Sequence, residues 1–386
     1  MNKIKRVLNL DLPQGQSAFL WGARKTGKST YLKSTFPKAH YIDLLKADEF
    51  HKYTLNPHYL REELLILKES TQTPLVIIDE VQKVPILLNE VHWLIENSPF
   101  DFILCGSSSR KLRSTGANFL GGRAWSYQMM PLCYPEIKEL NWSSIFNNGL
   151  IPQHYFSPHY SKMISSYLFD YIMNEVQHEA NLRKIEPFAR FLDILGFCQG
   201  EMLNFTSIGR ECGINTRTAR SYFDILEDMY IGYFLYPYRK KAKRQTIQET
   251  PKFYLFDTGV ANHLKRYSFK EMKGSEAGKA FEHYVFLELM AYKKYHEKTD
   301  SITYWRTKEG YEVDFVIQDK AYEVKLNDSF NKKDIRGLLA FGDEYKAELN
   351  IITTQGAKRI TKVDDKKITV WPISDFLEDL WSGLVW

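Results

Sequence analysis

The chain has 386 residues, enough for two to three domains at roughly 150 residues each. Hydrophobic residues make up 44%, charged residues 26% and aromatics 15%, which excludes a wholly disordered or collagen-like chain. Lys and Arg outnumber Asp and Glu by 52 to 47, and a net charge of +5 over this length does not by itself argue for nucleic acid. Four widely spaced cysteines (Cys105, Cys133, Cys198, Cys212) contain no C-x-x-C pair, which argues against a disulfide framework or zinc site and for a reducing cytosol. The basic N-terminal stretch lacks an apolar core of signal-peptide length, and no apolar run approaches about 18 residues. A soluble cytoplasmic protein without membrane contact is the expectation.

Residues 16–140 alternate short apolar runs with helical patterns. Ser17-Ala18-Phe19-Leu20-Trp21 reads as a strand and leads into Gly22-Ala23-Arg24-Lys25-Thr26-Gly27-Lys28-Ser29, a full match to G-x-x-x-x-G-K-[ST]. Such a loop must curl so that successive backbone N–H groups face phosphates, and glycine tolerates both the curl and the close approach. The nucleotide-binding set is therefore Gly22, Ala23, Arg24, Lys25, Thr26, Gly27, Lys28, Ser29 and Thr30. Lys28 would reach the β- and γ-phosphates of ATP, Ser29 would coordinate Mg²⁺, and the following helix adds its positive end.

His40–Leu44 is the next strand candidate, and residues 57–70 read as a helix. Leu75-Val76-Ile77-Ile78 is apolar throughout, as in a strand buried on both faces, and it ends in Asp79-Glu80. Asp79 would hold Mg²⁺ through water, and Glu80 would act as general base on the attacking water. Pro85 opens a helix, and Phe102-Ile103-Leu104-Cys105 makes a further strand that ends in Gly106-Ser107-Ser108-Ser109-Arg110. Ser107, or after it Ser108, would sense the γ-phosphate. The competing reading is that these serines only cap a helix. Arg110 and Arg123 are candidates for stabilising transition-state charge, in cis or from a neighbouring subunit, and an oligomer follows if one acts in trans. Strands separated by helices imply a parallel sheet.

After Pro131 the pattern becomes helical, with a looser stretch at 140–160. Residues 204–236 have the cadence of a helix-turn-helix. Ser207–Cys212 forms the first helix, Gly213 ends it, and Asn215 or Thr216 caps a second helix running to Met229. Arg217 and Arg220 would then face solvent where a major-groove reader carries its contacts. Strand 231–238 and the basic run 239–244, with Lys240 and Lys241, would form a wing against DNA phosphates. The competing reading is a lid or protein-contact module.

In the last third, Val313-Asp314-Phe315 precedes Tyr322-Glu323-Val324-Lys325, and Glu282 lies upstream on a helical run. Strand alternation sends Glu323 and Lys325 to one face. Asp314 and Glu323, joined by Glu282, would hold a second Mg²⁺ or Mn²⁺, and Lys325 would orient water or offset developing charge. An ordinary strand pair with surface charges is the bland alternative.

Gly22–Thr30, Ile77–Gln82, Leu104–Leu112, Gly121-Gly122-Arg123, Met130–Leu132 with Glu136, Phe253–Gly259 and the block 278–326 together resemble the prokaryotic AAA+-type P-loop ATPases that carry an uncharacterised C-terminal domain. Cys105 stands where that pattern usually has Thr. The Glu282, Asp314, Glu323 and Lys325 set resembles the PD-(D/E)XK restriction-endonuclease-like core, in active or binding-only form. The expected architecture is α/β: a P-loop ATPase domain over 1–140, a helical connector over 141–200, a winged-helix-like segment over 201–245 and a nuclease-like α/β domain over 246–386. The expected function is Mg²⁺-dependent ATP hydrolysis near DNA. The rival is an ATP-switched regulatory module that grips a protein partner and cuts nothing.

Overall fold

A computed structural model describes residues 4–67, 74–114, 120–180, 185–239 and 250–386. The chain divides into two compact units. One comprises Met1–Pro131 with Glu175–Leu182 and Asp224–Ile231, and the other comprises Leu132–Asn174, Arg183–Phe223 and Gly232–Trp386.

The first unit is built on five parallel strands: β1 (Ser17–Trp21), β2 (His40–Asp43), β3 (Leu75–Asp79), β4 (Asp101–Gly106) and β5 (Ala124–Gln128), in the order β2-β3-β4-β1-β5. The apolar run Val76-Ile77-Ile78 has no solvent exposure, as its composition requires of a central strand. The helix Leu87–Asn97 packs on one face of the sheet, where Ile42, Val76, Phe102, Leu104, Leu87 and Leu94 share one core. The helix expected over 57–70 is Tyr59–Leu67.

The second unit carries an eight-stranded mixed sheet. Its strands are β6 (Gly232–Pro237), β7 (Lys252–Leu255), β8 (Ile302–Arg306), β9 (Glu312–Ile317), β10 (Lys320–Lys325), β11 (Glu348–Thr353), β12 (Arg359–Val363) and β13 (Lys366–Pro372), ordered β12-β13-β11-β10-β9-β8-β6-β7. β9 and β10 form an antiparallel hairpin, and the helix Arg336–Glu344 carries the chain over to β11, parallel to β10.

The helix-turn-helix signals act locally as expected. Asn204 accepts the Ser207 N–H at the start of the helix Phe205–Cys212, Gly213 closes it at φ 70°, and Asn215 accepts the Thr218 N–H at 2.8 Å to open the helix Thr216–Asp228. The expected boundary near 245 does not separate two domains. β6 pairs antiparallel with β7 and parallel with β8 at Tyr236 and Pro237, so the wing hairpin is the edge of the large sheet. Residues 141–200 likewise divide between the units instead of forming a connector of their own. All four cysteines are buried and free. Among the described residues no helix is long and apolar enough to cross a membrane.

Candidate nucleotide site and a C-terminal charge cluster

Strand direction brings the first site together. In a parallel sheet every strand ends at the same edge. The loop after β1, the end of β3 and the residue after β4 are therefore neighbours, although they lie far apart in sequence. β4 lies between β1 and β3, and the two-strand spacing of about 10 Å separates the phosphate loop from the acids.

The loop curls through left-handed backbone at Gly22 (φ 151°), Lys25 (φ 65°) and Gly27 (φ 98°). A Cβ on Gly22 would run into the Met129 carbonyl, so only glycine fits there. Thr26 is buried and donates to the Ala23 carbonyl at 2.8 Å. Lys28, 5% exposed, donates to the carbonyls of Gly22 at 2.8 Å and Ala23 at 3.0 Å, folding its ammonium back over the loop. Ser29 is half-buried on the first turn of the helix Lys28–Thr35, Thr30 beside it is exposed, and Arg24 and Lys25 lie on the exposed rim.

Asp79 is buried at the β3 terminus. The Tyr41 hydroxyl from β2 donates to Asp79 and also reaches Ser29, so one phenol joins the two residues expected at Mg²⁺. Burial, and then the hydrogen bond to Asp79, push that phenol well above its ordinary range. Glu80 adopts left-handed backbone at φ 59°. Its Oε2 accepts from Ser107 Oγ at 3.2 Å and from Gln82 Nε2 at 2.5 Å, and Gln82 also donates to Ser107 at 3.1 Å. The candidate base, the candidate sensor and Gln82 thus form a closed triangle. A buried Lys ready to turn toward phosphates and a Ser/Asp pair at hydroxyl reach suit a nucleotide with Mg²⁺.

Sequence reasoning missed three members of this site. Gln82 belongs to the quoted strand end but signals no role by spacing alone. Tyr41 reads as an ordinary strand residue. Arg6 lies in the basic N-terminal stretch, and its guanidinium donates to Thr26 O at 2.5 Å, Met130 O at 2.7 Å and Pro131 O at 3.2 Å, bracing the loop from behind.

Two arginines take other places than expected. Ser17 and Ala124 are register partners at the start of their parallel strands, so Arg123 lies at the sheet edge opposite the phosphate loop, where it pairs with Glu96. It does not serve its own chain's site. Arg110 pairs with Asp228 at 3.1 Å, and Ser108 accepts the Arg110 N–H at 3.2 Å at the start of the helix Arg110–Ser114.

In the second unit Glu282, Asp314, Glu323 and Lys325 do converge. Asp314 Oδ2 accepts the Val324 N–H at 2.8 Å, Glu323 Oε1 pairs with Lys325 at 2.7 Å, and Glu282 accepts from the Tyr254 hydroxyl. Burial pushes all three carboxyls up to about 7. The Asp314 charge adds to the effect at Glu282, the Glu323 charge adds to it at Asp314, and Lys325 opposes it at Glu323. One oxygen, Glu323 Oε2, is buried without a hydrogen-bond donor and would suit a cation. The rest of the cluster does not. Lys252, 4% exposed on β7, pairs with Glu312 and lies 3.8 Å from Glu282. Among the described residues no group of three His, Cys, Asp or Glu side chains is drawn together as metal ligands. The second Mg²⁺ or Mn²⁺ expected at Asp314, Glu323 and Glu282 does not fit this arrangement.

On the helix-turn-helix, Arg217 is exposed at the first turn of the second helix. Arg220 is half-buried and engaged by its own fold instead of standing free toward solvent. Its guanidinium stacks 4.2 Å from the Phe234 ring and 5.2 Å from Phe205, and it donates to the Tyr236 hydroxyl at 3.2 Å. Lys240 and Lys241 lie outside the described residues.

Three family models match successive segments of the chain. Residues 14–138 match the family described as AAA domain, residues 151–271 match Domain of unknown function (DUF8612), and residues 277–376 match Domain of unknown function (DUF4143). The chain thus carries an AAA P-loop domain followed by two domains of unknown function. An uncharacterized protein of Methanocaldococcus jannaschii is 24% identical over 94% of this chain and 88% of its own length. Uncharacterized proteins of Mycobacterium tuberculosis and Mycobacterium bovis are each 24% identical over 63% of this chain, which spans 56% of their length. Among solved structures, the Walker-type ATPase PABY2304 of Pyrococcus abyssi aligns over 64% of this chain and 90% of its own, at 15% identity and a TM-score of 0.39. The Aeropyrum pernix Orc1 protein in complex with DNA aligns over 65% and 86%, at 12% identity and a TM-score of 0.23.

Proposed function

We propose that this chain is a Mg²⁺-dependent ATPase whose nucleotide cycle acts on a C-terminal half that grips DNA. One observation carries the ATPase reading: Lys28, Asp79, Glu80 and Ser107 meet at one sheet edge, with Glu80 and Ser107 hydrogen-bonded. With ATP bound, Lys28 exchanges the Gly22 and Ala23 carbonyls for the β- and γ-phosphates. Ser29 and Asp79 are the residues that would hold Mg²⁺, which draws charge off the γ-phosphate. Glu80 takes the proton of the attacking water, and Ser107 orients that water.

The DNA limb rests on the helix-turn-helix with exposed Arg217 and on the basic run that begins at Arg239. Arg220, held by Phe234 and Phe205, stiffens the hairpin against the helix, and phosphate contact falls to its neighbours. Strand cutting is not part of the proposal. Arg123 enters the cycle only if a neighbouring copy receives it, in which case the working form is an oligomer.

The test is the ATPase rate of wild type and Glu80→Gln, each with and without duplex or single-stranded DNA. Hydrolysis that Glu80→Gln abolishes and DNA modulates supports the proposal. ATPase activity with no DNA affinity at low salt would replace the DNA limb with the alternative, an ATP-switched module that grips a protein partner.

A further inference from the structure

We infer that the Lys252 ammonium supplies, from within the chain, the positive charge that a divalent cation supplies in a metal-dependent nuclease centre, so that the carboxylates around Asp314 are held together without metal. The inference stands apart from the ATPase and DNA readings.

Four acids meet in this part of the second unit: Glu282 from the helix Gly274–Tyr295, Glu312 and Asp314 from β9, and Glu323 from β10. Carboxylates brought this close repel unless protonated or offset by a cation. Two of them have obvious partners, since Arg306 pairs with Glu312 at 2.6 Å and Lys325 with Glu323 at 2.7 Å. Lys252 answers Glu282 and Asp314, and shares Glu312 with Arg306. Its Nζ pairs with Glu312, lies 3.8 Å from Glu282, feels the Asp314 charge, and rests 5.3 Å from the Tyr304 ring.

An ammonium is rarely buried to 4% exposure, and it stays charged there only when carboxylates surround it. Here burial works to lower the Lys252 pKa, and Glu282, Glu312 and Asp314 more than reverse that effect. A divalent cation placed among the same acids would face this ammonium as a like charge inside a low-dielectric cluster. One oxygen of each acid is already engaged, Asp314 Oδ2 by the Val324 N–H, Glu282 Oε1 by the Tyr254 hydroxyl and Glu323 Oε1 by Lys325, while Glu323 Oε2 has no donor.

The origin of the lysine matters. β7 belongs to the wing hairpin and reaches the cluster through β6, not through the helix and strands that carry the acids. The winged-helix hairpin therefore provides the counter-charge of the acid cluster.

The experiment titrates Mn²⁺ into the full-length, nucleotide-free chain, following free Mn²⁺ by electron paramagnetic resonance, for wild type, Asp314→Asn, Lys252→Gln and Lys252→Gln/Asp314→Asn. The expected result is no Mn²⁺ uptake by wild type that Asp314→Asn removes. Lys252→Gln should gain Mn²⁺ affinity by a factor of roughly ten or more, and the double variant should lose it again. Wild type that binds Mn²⁺ and loses it on Asp314→Asn would overturn the inference, as would a folded Lys252→Gln that gains no metal site. If Lys252→Gln fails to fold, the comparison of wild type with Asp314→Asn decides the matter alone.

Discussion

Replacing Gln82 by methionine tests the Glu80–Gln82–Ser107 triangle. Gln82 is 2% exposed, in the short turn Val81–Lys83 just after the acid pair. Its amide donates to the Glu80 carboxylate at 2.5 Å and to Ser107 at 3.1 Å, while its Oε1 is buried without a donor. Methionine keeps most of the volume, removes the donor and also removes the orphaned acceptor, so stability should hold or rise slightly. A hydrogen bond to a charged group contributes about 1.5 to 3 kcal/mol. If that energy holds the carboxylate in line for the water, its loss lowers kcat by roughly 10- to 100-fold at about 1.4 kcal/mol per decade. The Gln82 amide donates to Glu80 and Ser107, which face the attacking water and not the phosphate loop, so the Kd for ATP should stay within about twofold of wild type. Steady-state hydrolysis, fluorescent-nucleotide titration and thermal melting of the same preparation measure the three quantities. A kcat within about twofold of wild type, or an equal weakening of ATP binding, would refute the positioning role.

Lys28→Ala should weaken ATP binding strongly, because the phosphates lose their ammonium partner. Glu80→Gln should bind ATP normally yet lose turnover by roughly 100-fold or more, and undiminished hydrolysis there removes Glu80 from the mechanism. Arg217→Ala should weaken DNA binding and lower the slope of log affinity against log salt by about one contact, and an unchanged slope assigns the phosphate contacts elsewhere. His283 is buried, donates from Nε2 to the Leu255 carbonyl at 2.6 Å, and is pushed by burial from 6.5 down to about 3. The unfolded chain then binds the proton more readily than the folded one. The neutral imidazole's full contribution is therefore present above pH 6.5 and is lost as pH falls toward 3, on the order of 5 kcal/mol in all. Denaturation midpoints between pH 7 and pH 4 should show this slope, and His283→Gln should flatten it. A plasmid-nicking assay with Mg²⁺ or Mn²⁺ should show no cutting by wild type that depends on Asp314.

The phosphate loop was legible from residues 22–30 because its function uses consecutive backbone groups, and their conformation is set by the glycines inside the motif. The same holds for Asn204, Gly213 and Asn215, whose capping hydrogen bonds reach only a few residues away. Asp79 and Glu80 were legible because a wholly apolar strand must end somewhere, and polar residues mark the place. What surrounds these residues was decided by non-local pairing. The insertion of β4 between β1 and β3 puts Ser107 on Glu80, and the direction of β5 carries Arg123 to the far edge. Neither can be read from spacing, since chain distance says nothing about which strands become neighbours. Arg220 looked solvent-facing on a helical wheel and was claimed by Phe234 from the next strand. The acids of the C-terminal cluster announced themselves by strand alternation, but Lys252 did not. It precedes an apolar run far upstream, and only the pairing of β7 with β6, and of β6 with β8, brings its ammonium to Glu282 and Glu312. Local chemistry is written in consecutive residues, whereas the balance of charge in a buried site depends on every strand the sheet recruits.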